Sequence, residues 1–208
     1  MKKWALVTGA TAGIGESFTR LLAAQGFNLV LVARDETRLH ERAQGLKDKF
    51  GAESVVIVAD LATESGCAQV EEFIKSNEIE VLINNAGAIG LMGVESTSLK
   101  QYDLIQTINH RATFICAQAA LPFLKQSENP HILSLSPPVN MSPKWLGMLS
   151  PYALSKYGMT ILTLGMAEEF RQYGISCNTL WPETYIATAA VSKNLGEENT
   201  LHVSRKTE

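Results

Sequence analysis

Tyr152 and Lys156 stand four residues apart in "PYALSKYGM", a spacing that puts both side chains on one face of a helix. A phenol with its ordinary pKa of about 10 is a poor proton donor or acceptor at neutral pH. A cation about 4 Å away, at an effective dielectric of ~20, contributes about 4 kcal/mol, enough to bring that pKa down by about three. One lysine is thus of the right magnitude to prepare a tyrosine for proton transfer. A partly buried aromatic beside a solvated lysine would show the same spacing. In "HILSLSPPVN", alternation puts Leu133 and Leu135 on one face of a strand and Ser134 and Ser136 on the other, before Pro137 and Pro138 break it.

A third stretch suits an anion. "TGATAGIG", Thr8 to Gly15, follows an apolar run and opens an amphipathic one. Gly9 can take a tight turn, Gly13 allows close backbone approach to a diphosphate, and Gly15 allows the helix to pack on a sheet, with the helix amino terminus facing the anion. At the tip of the second apolar run Ala33 is followed by Arg34 and Asp35. An arginine there accepts a 2′-phosphate, so NADP(H) is expected. NAD(H) is the alternative if Asp35 binds the ribose hydroxyls, and either charge could instead cap the next helix.

The elements that must position these residues follow from the rhythm of the chain. "WALVT", "NLVLVA", "SVVIVA" and "EVLIN" alternate with amphipathic segments over 13–25, 36–50 and 67–75. A long helix is expected from about Lys100 to Lys125, then the strand "HILSLS", a helix from Tyr152 to about Arg171 and the strand "ISCNTLW". Strands apolar on both faces and separated by helices predict a Rossmann-like, doubly wound parallel sheet in three layers, with ligands at the strands' carboxyl ends. Those ends are Thr8-Gly9, Ala33-Arg34, Ala59-Asp60, Asn84-Asn85, Ser136 and Trp181-Pro182.

With 208 residues, 46% of them hydrophobic, one core is expected, over residues 1–190, with a polar lid or flexible tail over 191–208. A net charge of -3 with scattered Lys and Arg argues against nucleic-acid and membrane-surface partners. Cys67, Cys116 and Cys177 lack disulfide or zinc spacing, His40, His110, His131 and His202 lack ligand spacing, and no metal is expected. The run after Lys2 and Lys3 is too short for a signal peptide and no segment is long enough to span a bilayer, so a cytoplasmic location is expected.

Taken together, "TGATAGIG", "NNAG" at 84–87 and "YALSK" resemble the short-chain dehydrogenase/reductase family over nearly the whole chain. Up to Asn85 the chain is similar to reductases with "LVLVAR" and "ADLAT". From "NAGAIG" onward it resembles hydroxysteroid dehydrogenase-like proteins, through "SPPVNMSPKW", "KYGMTILTLGMAEEF" and "LWPETYIATAAV". Divergence, recombination and an engineered hybrid all fit that pattern. The resemblance implies hydride transfer between a nicotinamide and a small-molecule carbonyl or alcohol. It implies that Tyr152 is the general acid or base, that Lys156 binds the nicotinamide ribose, and that Asn109 holds a relay water. Gly9, Thr11, Gly13, Ile14 and Gly15 would line the diphosphate, Arg34 the 2′-phosphate, Asp60 and Leu61 the adenine side, and Asn85, Ala86, Gly87, Ile186 and Thr188 the rest of the cofactor. A homodimer would form through the helices of 100–125 and 152–171.

Three departures set a rival expectation. The family's catalytic serine aligns with Pro137, leaving Ser136 as the candidate hydroxyl. Glu183 stands where a glycine is usual, and the polar end of the chain lacks the family's last helix and seventh strand. The rival is a catalytically weak or inactive nucleotide-binding sensor or scaffold, truncated or hybrid.

Overall fold

A computed structural model describes residues 3–182. Glu183, Ile186, Thr188 and the 191–208 tail lie outside the described residues. Six parallel strands form one sheet: β1 (Trp4–Thr8), β2 (Asn28–Ala33), β3 (Ser54–Val58), β4 (Val81–Asn84), β5 (His131–Leu135) and β6 (Ser176–Leu180). Their order is β3-β2-β1-β4-β5-β6. The winding direction reverses between β1 and β4, where Ala5, Leu6 and Val7 pair with Val81, Leu82 and Ile83. Such a reversal opens a crevice at the carboxyl ends of the two strands.

Successive residues of a strand feed opposite faces, and both faces are covered. Leu6, Val30, Val32, Leu82 and Ile132 pack with Val70 and Ile74 of α3 (Glu64–Lys75), Cys116 and Ala120 of α5 (Ala112–Leu124) and Met166 of α6 (Pro143–Glu169). Ala5, Val7, Leu29, Leu31 and Ile83 pack with Leu22 of α1 (Gly13–Ala24) and with Leu39 and Leu46 of α2 (Glu36–Phe50). Each fully buried leucine contributes roughly 1.5–3 kcal/mol over an exposed one, which is why strands this short hold.

Two helices differ from the sequence expectation. The long one is α4 (Leu99–Gln106) and α5 joined by a π-turn, Thr107–Arg111. Such a turn closes i→i+5 bonds and inserts one residue into the helix; Asn109 sits in the middle of it, fully buried. The other, α6, starts at Pro143 rather than at Tyr152. Proline suits a first turn because its missing N–H would have no partner there. A kink at Leu149 (φ -155°, ψ 32°) precedes Pro151, whose absent N–H interrupts the ladder. The segment read as a connection is thus partly a short helix leaning into the one that carries Tyr152.

Candidate active site

The glycine loop is built for a close neighbour. Gly9 has φ +68°, a left-handed conformation that other residues rarely adopt. A Cβ on Gly15 would run into Gly9 O and Asn85 Nδ2. Helices α2, α3 and α4 each have a side-chain cap, from Asp35, Thr63 and Ser98, whereas α1 begins at Ala12 with none. The helix pointing at the crevice therefore leaves its first N–H groups to a ligand, the arrangement an anion requires.

Asn85 fixes the loop. Its Nδ2 donates to Thr8 O at 2.9 Å and Gly9 O at 3.2 Å. The N–H groups of Asn85 and Ala86 both donate to Thr8 Oγ1 at 3.0 Å, and that hydroxyl donates to Ile83 O at 3.2 Å. The Nδ2 of Asn85 is therefore committed to the loop it faces. The sequence marks Thr8 only as a strand end, because a threonine there carries no pattern of its own.

At the β2 end, Arg34 is exposed. Asp35 caps α2, its Oδ1 accepting Arg38 N–H at 3.0 Å and its Oδ2 lying 3.4 Å from Arg38 Nε. Beside it a cavity of about 450 Å³ is lined by Thr11, Ala12, Glu16, Arg38, Glu41 and Arg42. Glu16 in that wall is paired with Arg20 and, at 2.8 Å, with Arg42. Asp60 Oδ1 accepts Ala62 N–H at 3.0 Å, and the Leu61 side chain is buried in the core.

Asn109, Gly87 and Lys156 meet at the carboxyl ends of β4 and β5. Asn109 Oδ1 accepts Ala88 N–H at 2.8 Å, while its Nδ2 donates to Ala88 O at 3.1 Å and Ser155 Oγ at 2.8 Å. Ser155 passes its own proton to Tyr152 O at 2.7 Å. A Cβ on Gly87 would lie 3.1 Å from Asn109 Oδ1 and 3.2 Å from Lys156 Nζ. Lys156 Nζ donates to Leu135 O at 2.9 Å and touches Met159 Sδ at 3.5 Å.

The electrostatics run opposite to the sequence expectation. Burial pushes the Tyr152 phenol up to about 12 rather than down, and burial lowers the Lys156 ammonium to about 8. Helical spacing placed the two on one helix one turn apart, but the ammonium is turned to Leu135 O and desolvation dominates both groups.

Ser134 and Ser136 dock α6. Thr163 Oγ1 pairs with Ser134 Oγ at 2.9 Å; Thr160 Oγ1 pairs with Ser136 Oγ at 2.8 Å, and Ser136 Oγ donates to Lys156 O at 2.8 Å. That bond uses the single proton of Ser136, one turn beyond Tyr152. Thr160 and Thr163, three apart on α6, meet serines two apart on β5. That match of helix and strand periods could have been read from the sequence and was not.

Residues 3–199 match the sequence profile of the short chain dehydrogenase family. The chain belongs to this family. It is similar to hydroxysteroid dehydrogenase-like protein 2 of Rattus norvegicus, 38% identical over 194 residues, covering 89% of this chain and 37% of that protein. The chain thus spans less than half the length of that curated relative. Among solved structures it is similar to a short-chain dehydrogenase from Sphingobium yanoikuyae in complex with NADPH, with TM-score 0.81 and 32% identity over 86% of this chain and 70% of that one. It is also similar to the bulky-bulky ketone specific alcohol dehydrogenase from Comamonas testosteroni, with TM-score 0.80 and 30% identity over 86% and 72%.

Within this short-chain dehydrogenase, the glycine cradle and the uncapped α1 fit a dinucleotide diphosphate. Gly15→Ala is expected to weaken NADPH binding about tenfold or more by displacing Gly9 and Asn85, whereas Gly45→Ala, with open space around it, leaves it unchanged; quenching of protein fluorescence by NADPH measures both. Lys156, ordinarily protonated to 10.5, releases its proton near 8 in the native state. Between those values the unfolded chain binds more protons, so the stability of the protein relative to Lys156→Met rises with pH from about 8 to about 10.5 and is lowest below 8. Urea unfolding of both proteins at about pH 7 and about pH 9.5 reads that difference.

Proposed function

We propose that the chain is an NADP(H)-dependent oxidoreductase acting on the carbonyl or alcohol of a small or medium hydrophobic substrate. The observation that carries this reading is the convergence of Gly87, Asn109 and Lys156 at the carboxyl ends of β4 and β5, with Tyr152 one helical turn before Lys156. Bound nicotinamide would supply or accept the hydride. The protein's own part is to move a proton and hold the reactants. Burial pushes the Tyr152 phenol up to about 12, so it holds its proton at neutral pH, and giving that proton to a carbonyl oxygen in a reduction requires positive charge nearby, which Lys156 would supply. Lys156, beside Gly87, would hold the nicotinamide ribose. The Asn109 side chain is committed to Ala88 and Ser155, so a relay water would sit on its main-chain oxygen, beside the bond from Thr113 Oγ1 at 2.8 Å.

Cofactor choice rests on Asp35 and Arg34. A carboxylate occupied as the α2 cap is poorly placed to hold a ribose diol, while Arg34 is exposed and free to meet a 2′-phosphate. The NADPH complex of the Sphingobium relative supports the same choice. Gly9, Thr11, Gly13, Ile14 and Gly15 would cradle the diphosphate and Asp60 the adenine edge. Ser136, with its hydroxyl occupied, is assigned to holding α6 rather than to the substrate.

A second reading has its own support. The occupied Ser136, with Pro137 next to it, leaves the substrate oxygen without the family's usual second donor, so a nucleotide-binding protein with weak turnover is the alternative. Absorbance of NADPH and NADH across a carbonyl and alcohol panel separates the two. The expected outcome is NADPH oxidation by hydrophobic ketones, abolished in Tyr152→Phe with NADPH affinity nearly intact. Unchanged turnover in that variant would sink the assignment, and tight NADPH binding without turnover would favour the alternative.

We also propose a homodimer through α4, α5 and α6. Phe114, Leu154, Ile161 and Leu164 are exposed there, the last two by 70% and 71%, more apolar surface than one helix pair usually leaves to water. Sedimentation of the protein should give a dimer, and Ile161→Lys with Leu164→Lys should give a monomer.

A further inference from the structure

Between β5 and α6 the chain runs through Pro137–Ser142 without regular structure. Two of its first residues are prolines with no N–H to offer. Among the described residues, the hydrogen bonds that tie Pro138–Met141 to another part of the fold all end on one side chain, Tyr157. Its phenol accepts Asn140 N–H at 2.9 Å and donates to Asn140 O at 3.0 Å. Asn140 Oδ1 then accepts Ser142 N–H at 2.9 Å, which shapes the entry into α6.

The position of this tether matters. Tyr157 follows Lys156 directly, so the loop is fastened to the same turn of helix that carries the lysine. The loop leaves the carboxyl end of β5, and the short first part of α6 that it feeds packs on the β4–α4 connection, where a Cβ on Gly93 would come within 2.9 Å of Gly147 O. Along this stretch Val139, Met141 and Met148 are exposed apolar side chains. An apolar stretch therefore leaves the carboxyl end of β5 just past Ser136, and two hydrogen bonds fasten it to the residue after Lys156.

We propose that Tyr157 is a positioning residue that fixes this stretch as a rim and so sets how well bulky hydrophobic substrates are bound. The proposal rests on the oxidoreductase reading above. Small ketones would reach the centre without needing the rim. Large ones gain contact with Val139 and Met141 only if the loop is already in place, since ordering it on binding costs affinity.

Tyr157→Phe removes the hydroxyl and keeps the ring. Hydrogen exchange should show the amides of Asn140 and Ser142 exchanging about tenfold faster or more, with those of Ser134 and Leu135 unchanged and NADPH affinity within about twofold. Ketone affinity is measured at equilibrium on the NADPH complexes of Tyr152→Phe and of Tyr152→Phe with Tyr157→Phe, using cyclohexanone and benzophenone. Benzophenone is expected to weaken by about fivefold or more in the double variant and cyclohexanone by less than about twofold. Unchanged exchange at Asn140 and Ser142, an equal effect on both ketones, or no ketone binding to either variant overturns the proposal. Turnover by Tyr152→Phe would instead overturn the oxidoreductase reading, while the exchange and affinity comparison still decides the tether.

Discussion

Thr8 has one hydroxyl proton and two lone pairs, and all three are committed across the line where the sheet reverses. The proton goes to Ile83 O, and the lone pairs receive the N–H groups of Asn85 and Ala86. Thr8 is only 2% exposed, so an unpaired group there would carry its full desolvation cost. Because the bonds join the last residue of β1 to the first residues past β4, they hold the crevice at one width. Asn85 then extends the clamp to Gly9 O, and the tight packing of Gly15 on Gly9 follows. The glycine loop owes its shape as much to the strand it faces as to its glycines.

A second polar seam does the same for the reaction centre. Helix α6 lies on β5 through Ser134–Thr163 and Ser136–Thr160, both buried or half-buried, so the helix can neither slide nor rotate without losing them. That fixes the depth of Lys156, and depth rather than proximity to Tyr152 governs its charge. The ammonium is tolerated because Leu135 O accepts from it, while burial lowers its pKa to about 8.

The parallel, doubly wound sheet and its crevice could be foreseen because apolar strands alternating with amphipathic helices leave few topologies open. Tyr152 and Lys156 stand out as candidates for a related reason, since their identities and spacing are local, and the structure brings Lys156 and Asn109 together at Gly87. What could not be foreseen was where hydroxyls and amides find partners across long separations. Ser136 sits at the binding edge as its alternation required, yet whether its proton faces a substrate or Lys156 O depends on a helix twenty residues on. Asn85, expected from the resemblance to line the cofactor, also clamps Thr8 and Gly9. The helix expected from Tyr152 starts at Pro143 instead, and a kink at Leu149 accommodates Pro151 within it.

The π-turn at Thr107–Arg111 makes this helix a counting device. An α-helix advances about 100° per residue, so the one inserted residue sets the angular offset between α4, on one side of Asn109, and α5, on the other. Losing a single codon there would yield a helix with more regular bonds and yet turn Ile105 away from Gly90, or Cys116 and Ala120 out of the core. In this stretch the number of residues is under tighter constraint than the identity of most of them. A sequence that drifts freely by substitution would still be held to its length.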